Sequence, residues 1–174
     1  MKTTWILLAG LPATGKSTLA RALAARLGGS VVLDKDRVRA ALFPGAMTDY
    51  SPEQNNLCMR AIYDAASYLT HHGHADFIFI DGRTFSSDTQ LTEALDAVAK
   101  AGVVLRILHL TCSDEVAADR LHVADPDHPA RDRSVELYRQ VKARFEPIQH
   151  PKLDLDTSFG IDTLIEAAIE YVRS

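Results

Sequence analysis

Cysteine is nearly absent from the chain: two in 174 residues, Cys58 and Cys112, far apart and in no metal-ligand spacing. That excludes a disulfide framework and a cysteine metal site, and leaves buried free thiols of the kind a reducing cytosol maintains. Long hydrophobic runs are missing as well. No apolar stretch approaches the ~20 residues that span a bilayer, so a membrane partner is not expected. The early run Trp5–Ala9 is too short for the core of a secretion signal and leads straight into a glycine turn. Strong charge of either sign is lacking. The formal net charge of −4 gives no global attraction to nucleic acid and leaves room only for a local basic groove. Repeats, linkers and low-complexity segments are absent too. Hydrophobic residues make up 47% and charged residues 24%, which is an ordinary globular composition. A length of 174 residues suits a single cytoplasmic domain, 1–174, with one sizeable core.

What is present starts with Thr3–Thr18, TTWILLAGLPATGKST. The apolar run Trp5-Ile6-Leu7-Leu8-Ala9 reads as a strand, and it enters Gly10-Leu11-Pro12-Ala13-Thr14-Gly15-Lys16-Ser17-Thr18. This matches G-x-x-x-x-G-K-[ST], a phosphate-binding loop. Gly10 and Gly15 take backbone angles that a Cβ resists, so the loop curls with its N–H groups inward. A following helix aims its positive end at the same point. Lys16 then serves the β- and γ-phosphates of ATP, and Ser17 serves Mg²⁺. Pro12, Ala13, Thr14 and Thr18 complete the cradle.

Further along, Leu19, Leu23 and Leu27 recur on one face of a helix over 16–27, stopped by Gly28-Gly29. Val31-Val32-Leu33 reads as a buried second strand ending at Asp34, with a short helix from Asp36 to Phe43. Ser51-Pro52-Glu53-Gln54 is a helix start with a capping box, and Leu57, Ala61, Ala65, Tyr68 and Leu69 mark its apolar stripe. His71, His72 and His74 crowd the end of that helix and read as a solvated turn. Phe77–Asp81 is a continuous apolar strand ending in an acid, as in a parallel sheet covered on both faces. Ser87 caps a helix to about Ala101, Val103–Leu110 is a fourth strand, and Ser113 caps a helix to about Val123. Ala124–Arg133 breaks the pattern with prolines, aspartates and arginines and reads as a surface lid. Ser134 restarts a helix to about Phe145, Lys152–Asp156 is a fifth strand, and Ile161–Val172 carries the stripe of a closing helix.

Alternating strands and helices give a parallel sheet with helices on both faces, and ligands bind beyond the carboxyl ends of its strands. That edge collects the loop, Asp34 and Asp36, Asp81 and Ser158. Phosphoryl transfer needs a cradle, a metal, an oriented nucleophile and positive charge. Ser17 with Asp81 is the metal side. Asp36 is the candidate base for a hydroxyl substrate, with Asp34 as the other carboxylate and helix capping as Asp36's ordinary role. Arg39, three residues on, faces the same way, toward an anionic group on the acceptor or toward solvent. Arg120, Arg131 and Arg133 flank or occupy the lid and are the candidates to reach the γ-phosphate.

GLPATGKSTLA, LDKDRVRAALF, FIFIDGRTF and DRSVELYRQVKARFEP with LDLDTS resemble the small P-loop kinases grouped with phage polynucleotide kinase, zeta toxins, gluconate kinase and chloramphenicol phosphotransferase. The resemblance implies a three-layer P-loop NTPase fold of nucleoside-monophosphate-kinase type. Its five-stranded parallel sheet has the order 2-3-1-4-5, with helices on both faces and a small lid. It also implies ATP, Mg²⁺ and a hydroxyl acceptor. Asp36 falls where the polynucleotide kinases have a general base, Arg39 where they have an arginine on the acceptor phosphate, and Arg120 where an arginine opens the lid. A second lid arginine would fall near Ala124 and is missing, with Arg131 or Arg133 as substitutes. Asp81–Thr84, DGRT, resembles an acceptor-side turn and adds Arg83 to the substrate wall. The expected activity is transfer of the ATP γ-phosphate to a hydroxyl of a small molecule. A 5′-hydroxyl polynucleotide kinase and a nucleotide-binding regulator without an acceptor are the two rival readings. The sequence leaves the acceptor and the oligomeric state open.

Overall fold

A computed structural model describes residues 3–123 and 134–174. Its five strands are β1 (Thr4–Ala9), β2 (Ser30–Asp34), β3 (Phe77–Asp81), β4 (Val104–Thr111) and β5 (Leu153–Asp156). They form one sheet in the order β2-β3-β1-β4-β5, every neighbouring pair parallel. The helices are α1 (Lys16–Arg26), α2 (Lys35–Leu42), α3 (Pro52–His71), α4 (Asp88–Ala101), α5 (Asp114–His122), α6 (Val135–Ala143) and α7 (Ile165–Arg173).

The middle strand explains the layering. All six residues of β1 are buried, because helices cover both faces. Trp5, Leu7 and Ala9 join Met59, Ile62 and Ala66 of α3 and Leu91, Ala94 and Val98 of α4 in one core. Ile6 and Leu8 point the other way, to Leu19 and Leu23 of α1 and Ile165, Ala168 and Val172 of α7. Trp5 is fully buried, and its indole N–H donates to Thr70 Oγ1 at 3.0 Å.

Four helices start on serines whose hydroxyls accept a backbone N–H. Ser51 takes Gln54 N, Ser87 takes Gln90 N, Ser113 takes Val116 N and Ser134 takes Leu137 N. At Ser51 only half of the expected capping box forms. Gln54 turns its side chain to Asp49 N and Met47 O, and Ser51 N donates to Asp49 Oδ1 instead.

Other expectations change. The buried stripe of α3 is Cys58, Met59, Ile62, Tyr63 and Ala66, while Leu57 (42% exposed) and Tyr68 (57%) face out. Turning the helix by about one residue buries Met, Ile and Tyr in place of alanines, which removes more apolar area from water. β2 is half-buried rather than buried, since it is the sheet's edge. α6 stops at Ala143, short of Phe145, and α7 starts at Ile165 after a 3₁₀ turn over Asp162–Leu164. The histidines after α3 stack on one another and on Tyr68, with Tyr68 and His72 ring centres 4.0 Å apart. Among the described residues no group of three or more His, Cys, Asp or Glu could hold a metal, and no helix is long and apolar enough to cross a membrane. Both cysteines are free, and burial pushes their thiols upward, away from the thiolate form.

Candidate active site

The loop between β1 and α1 turns on two glycines. Gly10 has φ +135, and a Cβ there would sit 2.2 Å from the Leu110 carbonyl oxygen of β4. Gly15, the cap of α1, has φ +87. Ala13 is also left-handed, at φ 63. The Lys16 ammonium folds over the loop, donating to Gly10 O at 2.9 Å and Leu11 O at 2.6 Å. Gly10 N donates to Thr84 O at 3.0 Å, which fastens the loop to the turn after β3.

A cleft of ≈ 1210 Å³ opens beyond the carboxyl ends of the strands. Clefts for a single small ligand run to roughly 300–1,000 Å³, so this one is larger than one small ligand requires. Pro12, Ala13, Gly15, Lys16, Ser17 and Thr18 line one side, and Lys35, Asp36, Arg39, Asn55 and Arg83 line the other. Asp81 sits between them at the end of β3, 1% exposed, with no hydrogen-bond partner for either carboxylate oxygen among the described residues. A buried carboxylate without partners is costly, and a cation removes the cost. Asp81 and the Ser17 hydroxyl are hard oxygen donors, and both line the cleft, which fits Mg²⁺.

Asp34 pairs with Asp81 in the strand register, and it is the cap of α2. Its Oδ1 accepts from Asp36 N at 2.8 Å and Arg37 N at 3.3 Å. Burial, then the charges of Asp81 and Asp36, raise its carboxyl above the ordinary value. Asp34 is not on the cleft wall. Capping therefore falls to Asp34, and Asp36 is left with its carboxylate in the cleft. Arg39 Nη1 holds Asp36 Oδ1 at 2.6 Å and Lys35 Nζ lies 3.5 Å from the same oxygen, on a residue that lines the cleft. Burial pulls the Lys35 ammonium below its ordinary value, and the Asp36 charge opposes that.

Arg39 is not the solvated arginine that its place on a short helix allows. It is 3% exposed, bonded to Asp36 and Asn55, and its guanidinium lies 5.0 Å from the centre of the Tyr50 ring. Asn55 Oδ1 also accepts from Lys35 at 3.1 Å, and its Nδ2 donates to Tyr50 O at 3.1 Å. Arg83 is buried too, held by Glu93 Oε2 at 2.9 Å and Asn56 Oδ1 at 2.8 Å.

Gly82 brings these parts together. Its φ is +90, and a Cβ would lie 2.9 Å from Lys35 Cβ and 3.0 Å from Lys35 N. Only glycine lets the first turn of α2 descend onto the end of β3. Gly82→Ala is expected to destabilise the fold by about 1–3 kcal/mol and to displace Asp36. Turnover should then fall more than nucleotide affinity does, a split read from kcat against the Kd for a non-hydrolysable ATP analogue.

Arg120 reaches the loop from α5 and also lines the cleft. Its Nη1 donates to Ala13 O at 3.1 Å and Thr157 Oγ1 at 3.0 Å, and its Nη2 to Thr157 O at 2.7 Å. Arg131, Arg133 and the lid over 124–133 lie outside the described residues. Ser158, expected at the ligand edge, bonds Asp156 and Ser113 instead and is not on the cleft wall. Lys35, Tyr50, Asn55 and Thr157 went unassigned in the sequence. The charge cluster DKDR pointed to Lys35, whereas Tyr50, Asn55 and Thr157 carried no signal that chemistry requires.

A parallel sheet in the order 2-3-1-4-5, with a G-x-x-x-x-G-K-S loop after its central strand, is the P-loop NTPase fold of the kinase type. Within that class, residues 6–148 match the AAA_33 family, described as an AAA domain, and the chain belongs to this P-loop kinase-like family. In three dimensions it is similar to a candidate kinase from Chloroflexus aurantiacus, at 24% identity and TM-score 0.76, over 99% of this chain and 98% of that one. It is similar to the Mycobacterium tuberculosis APS kinase CysC in complex with AMPPNP and APS, at 18% identity and TM-score 0.72, over 99% of both chains. It is also similar to a gluconokinase from Sinorhizobium meliloti, at 13% identity and TM-score 0.66, over 98% of this chain and 91% of that one. No curated protein matches the chain in sequence.

Proposed function

We propose that this chain is an ATP-dependent phosphotransferase, a single cytoplasmic domain that moves the γ-phosphate to a hydroxyl of a small molecule. The observation that carries the reading is Asp36. It lines the same cleft as the phosphate loop, with Oδ1 held by Arg39 and Lys35 and no hydrogen bond to Oδ2 among the described residues. A nucleotide sensor has no use for such a group, whereas an alcohol must lose its proton as it attacks phosphorus. In this reading the loop from Gly10 to Thr18 wraps the phosphates, and the amides of its later residues, Ala13 to Thr18, bind them with the Lys16 ammonium. Ser17 and Asp81 would hold Mg²⁺, which when bound neutralises charge on the β- and γ-phosphates. The Asp36 carboxylate takes the proton, Asp34 fixes the helix turn that carries Asp36, and Arg39 orients the carboxylate. Arg83 and Arg39 form the acceptor wall. Arg131 and Arg133 remain the candidates for charge stabilisation at the γ-phosphate. A nucleic-acid end is the less favoured acceptor, given the net charge of −4.

The test is transfer of label from γ-labelled ATP across nucleosides, oligonucleotide ends, sugars and antibiotics, with and without Mg²⁺. Label moving to one acceptor class, only with Mg²⁺, is the expected result. Label released solely as inorganic phosphate, at a rate no alcohol changes, would sink the reading.

A further inference from the structure

Thr157 is the first residue after β5 and is completely buried. Its hydroxyl meets three partners. Oγ1 lies 2.9 Å from Thr14 O and 3.1 Å from Thr111 O, and it accepts from Arg120 Nη1 at 3.0 Å. One hydroxyl has one proton and two lone pairs, so it donates to a carbonyl while it accepts from the guanidinium. Arg120 carries the contact onward to Ala13 O, and it is itself locked to Thr157 O. The Thr157 N–H donates to Thr111 O at 2.8 Å, which ties the group to the end of β4.

Two of these bonds reach the phosphate loop, both at carbonyls, those of Thr14 and Ala13. In a trans peptide the carbonyl and the next N–H lie in one plane and point in opposite directions. Holding Ala13 O sets the direction of Thr14 N–H, and holding Thr14 O sets that of Gly15 N–H. The loop needs this support, because Ala13 is a non-glycine residue at φ 63. We infer that Thr157 is a positioning residue: its hydroxyl, directly and through Arg120, braces the loop from behind and orients the amides of Thr14 and Gly15. Arg120 on this account is a strut for the loop as well as part of the cleft wall. What those amides grip rests on the nucleotide reading above; the brace itself does not.

The test uses the full chain without nucleotide, labelled with ¹⁵N, as wild type, Thr157→Val and Thr157→Ser. The backbone order parameters of Thr14 and Gly15 are expected to fall from the rigid value of about 0.85 to below about 0.6 in Thr157→Val. Thr157→Ser, which keeps the hydroxyl, should restore them. Unchanged order parameters in Thr157→Val, with only the melting temperature lowered, would overturn the brace. If Thr157→Val does not fold, Arg120→Met replaces it, since Arg120 is only half-buried. The same fall supports the inference and its absence defeats it. In parallel, AMPPNP affinity should drop ~10-fold in Thr157→Val, the effect of one lost buried hydrogen bond. Wild type that ignores AMPPNP while the order parameters behave as stated would leave the brace standing and remove the nucleotide reading.

Discussion

Asp36→Asn is expected to lower phosphoryl transfer by ~10²–10⁴-fold while AMPPNP affinity stays at the wild-type value. Asparagine keeps an oxygen for Arg39 and fills the same volume, but it cannot accept a proton from an alcohol. Alanine would be a poorer probe. It would take the acceptor oxygen as well as the charge away from Arg39, which is buried, and Lys35, which is half-buried, and breaking a buried pair costs about 3–5 kcal/mol. Asn55 and Tyr50 still hold the Arg39 guanidinium in the asparagine variant, so the wall should keep its shape. The measurement is the initial rate with the acceptor that the label screen identifies, beside calorimetric titration with AMPPNP. An asparagine variant as fast as wild type would take the base role away from Asp36. Equal losses of rate and affinity would make it a structural residue.

Lys16→Met should remove the positive charge from the centre of the phosphate loop. AMPPNP affinity and turnover are each expected to fall by ~10²–10³-fold, the scale seen when one preorganised electrostatic contact is deleted. Stability should hardly move. The two carbonyls that Lys16 holds, Gly10 O and Leu11 O, belong to a loop on the wall of an open cleft, where water can replace the ammonium within about 1 kcal/mol. A thermal melt beside the titration separates the two effects. Undiminished affinity would mean that the loop is not a phosphate site.

How much of this was legible depends on how far each signal travels along the chain. The cap serines at 51, 87, 113 and 134 act on an N–H three residues away, so their spacing with the next helix is a local fact and reads correctly. The apolar runs of β1 and β3 read correctly because burial on both faces leaves no polar position to confuse the pattern. The stripe of α3 does not. Leu57, Tyr68, Met59, Ile62 and Tyr63 surround the helix, and only the sheet beneath decides which of them sink. The same holds for β2, whose half-exposure follows from being last in the sheet, a property of the topology and not of Val31-Val32-Leu33. In the site, the residue types were visible and their partners were not. Asp34 and Asp36 are equally good caps by type, and Gly82, far along the chain, decides how α2 lands. Arg39 looks solvated until Asn55, sixteen residues on, comes back to meet it. Thr157 lies 143 residues from the carbonyl it supports, beyond the reach of any local rule.

The placement of Trp5 has a practical corollary for anyone handling this chain in solution. It is the sole tryptophan, and it is sealed in the early half of β1, in register with Ile78 and Leu105, whereas the cleft opens past Ala9. Its emission therefore reports whether the central sheet is assembled and is blind to what occupies the cleft. A denaturation curve followed at that indole gives the integrity of the scaffold, and occupancy has to be watched with a separate optical label.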